Sequence, residues 1–124
     1  MSAPLILIVD DDASIQDILA DTLQDGGFET RTASSGEEAA ALLKTGEPVQ
    51  ALVVDIGFGR DHVEGWSVAR RARAFNAALP VLYITGGPTD EWSVHGVPDS
   101  ILIRKPFAPA QILIAISDLL KARG

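Results

Sequence analysis

Cysteine is absent from the 124 residues, which excludes a disulfide framework and any thiolate metal site and fits a reducing compartment such as the cytoplasm. Long apolar runs are absent too. The stretch from Leu5 to Val9 is far shorter than a membrane span, and Asp10, Asp11 and Asp12 follow it at once, a sequel no signal peptide tolerates. An extended Lys/Arg patch is equally missing: with a net charge of -7, direct binding to nucleic acid or to an anionic membrane lacks its positive footprint. Repeats, low-complexity tracts and linkers do not occur. What remains open is a protein partner or a bound cation, and a chain that is 47% hydrophobic has enough apolar material for one core and too little length for two. One domain over residues 1–124 is expected.

Apolar runs alternate with segments of helical period. Leu5 to Asp10, Phe28 to Ala33, Ala51 to Asp55, Pro80 to Thr85 and Ser100 to Arg104 read as strands. Four are near-continuous apolar runs, the pattern of parallel strands covered on both faces. The second, with Phe28, Thr30 and Thr32 on one side, alternates like an edge strand. Helical segments between them carry caps: Asp12 ahead of Ile15, Ile18, Leu19 and Leu23, and Ser34 or Ser35 three residues before Glu37 or Glu38. Gly26-Gly27 and Gly46 close these two helices. A third helix is predicted from about Gly65 to Asn76 and a fifth from Pro109 to Lys121, with proline in its first turn. The fourth window, Gly86 to Pro98, contains so much glycine and proline that only a short helix from about Thr89 to His95 has room.

Five strands alternating with five helices predict a doubly wound α/β domain, flavodoxin-like, with a parallel sheet in the order 2-1-3-4-5. Ligands of such sheets bind outside the carboxyl ends of the strands, where the order reverses. Asp10, Asp11 and Asp12 end the first strand, Asp55 the third, Thr85 the fourth, and Lys105 follows the fifth. All are thereby expected at one edge. Several carboxylates held together repel unless protonated or bound to a cation. Mg²⁺ suits such a site, because it takes oxygen ligands, keeps waters and binds through one or two carboxylates plus a phosphate. Lys105 then offers a point charge and Thr85 a neutral donor for phosphoryl oxygens, which leaves Asp55 as the nucleophile. Each residue also has a plainer role taken alone: Asp12 as a helix N-cap, the acidic triplet as a solvated helix start, Asp55 as a turn residue, Lys105 as a surface charge and Thr85 as a strand-end hydroxyl.

Taken together, Ile8-Val9-Asp10-Asp11-Asp12, Val53-Val54-Asp55, Tyr83-Ile84-Thr85-Gly86 and Arg104-Lys105-Pro106-Phe107 resemble the receiver domains of bacterial response regulators, over essentially the whole chain. The resemblance implies that Asp11, Asp55 and the backbone carbonyl of Gly57 ligate Mg²⁺, with Asp10 acting through water. It implies further that Asp55 accepts a phosphoryl group from phosphohistidine on a histidine kinase or histidine phosphotransfer protein, that Thr85 and Lys105 then bind the group, and that the Lys105-Pro106 bond is cis. Such a domain is a self-phosphorylating and self-dephosphorylating acceptor rather than an enzyme on an external substrate. With no output module after the fifth helix, signalling is expected through contacts with a downstream protein, on the face of the fourth helix, fifth strand and fifth helix; a homodimer through that face stays open.

Three features depart from the common receiver pattern. Gly59 stands where proline is usual and Gly65 lies two residues late, lengthening the loop from Ile56 to Glu64. Gly57 and Gly87 occupy the positions that tune phosphoryl hydrolysis, and Leu102 occupies that of the aromatic that often rotates inward. The short fourth helix and Thr85-Gly86-Gly87 are similar to single-domain receivers of alphaproteobacteria, and a receiver from a hybrid histidine kinase is an alternative origin. Glycine and proline in the fourth window also suggest a loosely held resting segment up to Pro98. From another class, a small haloacid-dehalogenase-like phosphatase also uses a strand-end aspartate, Mg²⁺, Thr/Ser and Lys, but it needs further acidic ligands where this chain has Gly86-Gly87. His62 and His95 have no partner at metal-ligand spacing. Trp66 reads as a packing residue and Trp92 as an exposed indole able to anchor a partner.

Overall fold

The computed structural model describes residues 3–56, 63–87 and 92–123. Among them, strands and helices alternate: β1 (Leu5–Val9), α1 (Ala13–Asp25), β2 (Glu29–Ala33), α2 (Gly36–Lys44), β3 (Val49–Asp55), α3 (Val63–Phe75), β4 (Val81–Thr85), α4 (Trp92–His95), β5 (Ile101–Arg104) and α5 (Pro109–Arg123). The strands form one parallel sheet in the order β2-β1-β3-β4-β5, the order the sequence pattern predicts.

Why the central strands are apolar throughout follows from their two covered faces. Leu5, Leu7 and Val9 of β1, Leu52 and Val54 of β3, and Val81 and Tyr83 of β4 pack with Ala39 of α2 and with Trp66, Val68, Ala69 and Ala72 of α3. The alternate residues, Ile6, Ile8, Ala51, Val53, Leu82, Ile84 and Ile103, pack against Leu19 and Leu23 of α1 and Ile112, Ala115, Ile116 and Leu119 of α5. Each of the central strands β1, β3 and β4 thus feeds two cores by its period of two. β2 lies at the edge and leaves Glu29, Arg31 and Thr32 exposed.

The helix boundaries follow the capping chemistry. Asp12 Oδ1 accepts from the backbone N–H groups of Ser14 at 2.8 Å and Ile15 at 3.4 Å, starting α1. Of the two serines ahead of α2, Ser35 is the cap, its hydroxyl accepting from Glu38 N–H at 3.1 Å. After α1 and α2 the chain turns through left-handed Gly27 (φ 94°) and Gly46 (φ 82°), where a Cβ would be strained.

β1, β2, β4, β5 and the end of α3 fall within one residue of the expected bounds, and four boundaries differ by more. β3 begins at Val49, two residues early, because buried Val49 pairs with Leu5 while exposed Gln50 interrupts the apolar run. α3 begins at Val63, so Gly65 lies inside its first turn instead of opening it. α5 runs two residues further, to Arg123, with no breaker to stop it. α4 spans Trp92–His95, and the predicted start at Thr89 lies outside the described residues. Gly96 N–H donates to Trp92 O at 2.8 Å and closes that single turn.

Candidate functional site

The carboxyl ends of β1, β3, β4 and β5 bring Asp10, Asp55, Thr85 and Lys105 to one edge of the sheet. Strand parity sorts them further. Asp10 follows the Ile6-Ile8 row, Asp55 the Ala51-Val53 row and Lys105 the Ile101-Ile103 row, so all three share the register of the α1/α5 face. Thr85 continues the Val81-Tyr83 row on the opposite face. Asp10, Asp55 and Thr85 are buried, at 1%, 4% and 4% exposure.

Lys105 Nζ donates to Asp55 Oδ2 at 2.5 Å. β5 and β3 flank β4, and with neighbouring strands about 5 Å apart the two backbones are separated by about 10 Å. Only a long cationic side chain crosses that gap, which explains lysine at the end of β5. The backbone beneath it is tied to β4, where Lys105 N–H donates to Thr85 O at 2.7 Å. The Lys105-Pro106 peptide is cis, as the resemblance implied. Thr85 Oγ1 accepts from Gly87 N–H at 3.1 Å, which orients the hydroxyl.

Asp10 carries the electrostatic tension of the site. Burial, reinforced by the neighbouring Asp55 carboxylate, raises its pKa from 3.8 to about 7, against the opposing pull of the Asp12 N–H and the Lys105 charge. Its Oδ1 accepts from Asp12 N–H at 2.9 Å, whereas Oδ2 is buried without a hydrogen-bond partner. A buried acceptor of this kind costs free energy until a donor or cation meets it. Asp11 beside it is exposed. Among the described residues no three His, Cys, Asp or Glu side chains form a metal-binding cluster, so the protein offers an acidic pair with one orphaned oxygen. That donor set fits Mg²⁺, which accepts few protein oxygens and retains water. Gly57 and His62 lie outside the described residues. His95 is exposed, its ring 5.9 Å from that of Trp66.

Two further residues shape this edge. Gln16, on α1, donates its side-chain amide to Asp10 O at 2.5 Å, Ala33 O at 3.3 Å and Ser34 Oγ at 3.2 Å. A glutamine one turn into a helix carries no motif signal. Gly65, which the sequence marks by its spacing and as a helix start, has a role in close approach: a Cβ there would lie 2.9 Å from Ile56 Cα and 3.0 Å from Asp55 O. The first turn of α3 therefore packs directly on the backbone that carries Asp55.

The family model for the response regulator receiver domain matches residues 6–117. The chain belongs to the response regulator receiver family. A receiver protein from Sinorhizobium medicae WSM419 has a similar structure, with a TM-score of 0.92, 43% identity and 98% of both chains covered. A CheY-like receiver domain protein from Methanospirillum hungatei JF-1 gives 0.87 at 28% identity, covering 98% of this chain and 97% of its own. In sequence, the putative response regulator NtrX-like of Rickettsia conorii is 30% identical over 119 residues, 94% of this chain but 25% of that protein. The transcriptional regulatory protein PrrA of Mycobacterium tuberculosis is 32% identical over 127 residues, 53% of its length. This receiver thus spans about a quarter to a half of the length of these two curated relatives. The family match does not favour the phosphatase alternative. No helix among the receiver's described residues is long and apolar enough to cross a membrane.

Proposed function

We propose that this receiver takes a phosphoryl group from phosphohistidine, on a histidine kinase or a histidine phosphotransfer protein, onto the Asp55 carboxylate. The observation that carries the reading is the Asp55–Lys105 ion pair spanning β4 beside the orphaned oxygen of Asp10. In the transfer a carboxylate oxygen of Asp55 forms the new P–O bond while the P–N bond to the donor imidazole breaks, and the leaving nitrogen regains its lone pair. Lys105, ion-paired with Asp55, and Thr85 serve the transferred group in this reading: the ammonium neutralises phosphoryl oxygens, and the hydroxyl hydrogen-bonds to one of them. Asp10, Asp11, Asp55 and the Gly57 carbonyl are the groups that would hold Mg²⁺, which supplies neutralising charge to the transferring group.

Phosphorylated Asp55 then alters contacts with a downstream protein partner, the surface of α4, β5 and α5 being the proposed output face. Residues 1–124 act in this reading as one receiver unit. The test is intact mass after incubation with Mg²⁺ and acetyl phosphate. One added phosphoryl group is expected on the wild type and none on Asp55→Asn, which keeps the shape of the side chain without its nucleophile. Phosphorylation of the Asn variant would remove Asp55 from the role, and repeated turnover of a phosphomonoester would favour a phosphatase.

A further inference from the structure

We infer that Gln16 is a positioning residue for the divalent cation, acting through the backbone that joins Asp10 to Asp11; the inference rests on the proposed Mg²⁺-assisted function and deepens it. Gln16 is half-buried on α1, and its amide nitrogen has two hydrogens to share among three acceptors. The shortest contact, 2.5 Å, is to the Asp10 carbonyl, one end of the Asp10-Asp11 peptide. The other two, Ala33 O and Ser34 Oγ, lie at the end of β2 and just before the α2 cap. Asp10 N–H also donates to Ala33 O at 3.1 Å.

The Asp10 backbone is thereby held at both its N–H and its C=O. Fixing that carbonyl fixes the peptide plane, and the plane places the Asp11 Cα, which narrows the positions its side chain can reach. This restraint counts at a place where the buried Asp10 and Asp55 carboxylates lie close enough to act on each other, and like charges so placed repel. Among the described residues, no other side chain hydrogen-bonds to the Asp10 carbonyl.

The chemistry of the tether suits a cation site. An amide donates without charge, so it holds the loop while leaving the field of the carboxylates intact. Lysine or arginine would compete electrostatically with the metal, and glutamate would add repulsion and donate nothing. Groups that orient ligands without touching the metal commonly change metal affinity by about 10- to 100-fold when removed.

The test compares wild type with Gln16→Met and Gln16→Ala, both of which remove the donor. Mg²⁺ affinity is read by isothermal titration calorimetry, and metal-free stability by urea denaturation in chelator. The expected result is a dissociation constant raised about tenfold or more, with acetyl-phosphate labelling restored to within about twofold of wild type at saturating Mg²⁺. An affinity within twofold of wild type in both variants overturns the assignment, whatever happens to the urea midpoint, because a purely structural residue would move the midpoint alone. Loss of cooperative unfolding in both variants likewise makes Gln16 a stability residue and overturns it. A wild type that binds no Mg²⁺ removes the proposed function itself, and the role of Gln16 falls with it.

Discussion

Replacing Asp10 by asparagine is expected to stabilise the metal-free protein at neutral and alkaline pH, and the size of the gain follows from its environment. The Asp10 pKa rises from 3.8 to about 7 on folding. Below pH 4 the group is protonated in both states and contributes nothing. Between about pH 4 and pH 7 the unfolded chain ionises while the folded protein retains its proton, so the folded state binds more protons and stability falls as pH rises. Above pH 7 both states are charged and the full penalty is present. A shift of about three units at roughly 1.4 kcal/mol each sets a ceiling of about 4 kcal/mol, part of which is shared with Asp55. Asparagine preserves the acceptor for Asp12 N–H and removes the charge. Urea denaturation in chelator at pH 5, 6, 7 and 8 reads the difference between variant and wild type. That difference is expected to grow by about 2–3 kcal/mol from pH 5 to pH 8, and Mg²⁺ should reverse the ranking, because it binds the folded wild type more tightly. Stability curves that run parallel with pH would refute the assignment of the raised pKa to Asp10.

Gly65→Ala places a Cβ 2.9 Å from the Ile56 Cα, against backbone that cannot rotate away; a loss of about 1–3 kcal/mol is expected by urea denaturation, with slower acetyl-phosphate labelling of Asp55. Tyr83→Phe removes the hydroxyl that accepts from buried Val97 N–H at 3.0 Å; leaving that donor unsatisfied should cost about 1–3 kcal/mol, and amide exchange at Val97 should accelerate. Ser35→Ala deletes the α2 cap and should lower stability by about 1 kcal/mol without changing the Mg²⁺ dissociation constant measured by calorimetry.

The fold was legible because two-sided burial writes itself into the strands as unbroken apolar runs, and because Asp12, Ser35, Gly27 and Gly46 are residues whose local chemistry stops or starts a helix. Asp10, Asp55 and Thr85 were legible for a related reason: in a sheet of this order, a polar residue directly after an apolar run lies at the ligand edge, and Lys105, two residues past the apolar run of β5, is carried to the same edge. Gln16 was not legible, since its function lies in reaching three acceptors contributed by residues 10, 33 and 34, a juxtaposition that exists only once β1, β2 and α1 have packed. The start of β3 is not legible because exposed Gln50 breaks the apolar run one residue after the strand begins. Gly65 shows a third kind of loss, in which the residue is visible but its reason, backbone against backbone at the end of β3, is not.

The segment after Thr85 illustrates how a weak local signal and a strong tertiary one coexist. Its glycines and prolines suggested a loosely held stretch up to Pro98, and residues 88–91 lie outside the described residues. From Trp92 onward the chain is tied at several points. Trp92 Nε1 donates to Ser100 Oγ at 2.9 Å, that hydroxyl donates to Val97 O at 2.7 Å, and Val97 N–H donates to Tyr83. The Trp92 indole therefore has a structural use as well as an exposed edge, at 36% exposure. Leu102, which stands where many receivers have an aromatic, pairs in register with Tyr83 on the neighbouring strand, and the Tyr83 ring lies 4.8 Å from that of Trp66. An aromatic body with a polar tip is thus present on this face, displaced by one strand from β5 to β4. Because Tyr83 shares a strand row with Thr85, two residues along, the same short stretch of β4 holds the site hydroxyl at its end and the anchor of the α4–β5 connection beneath it.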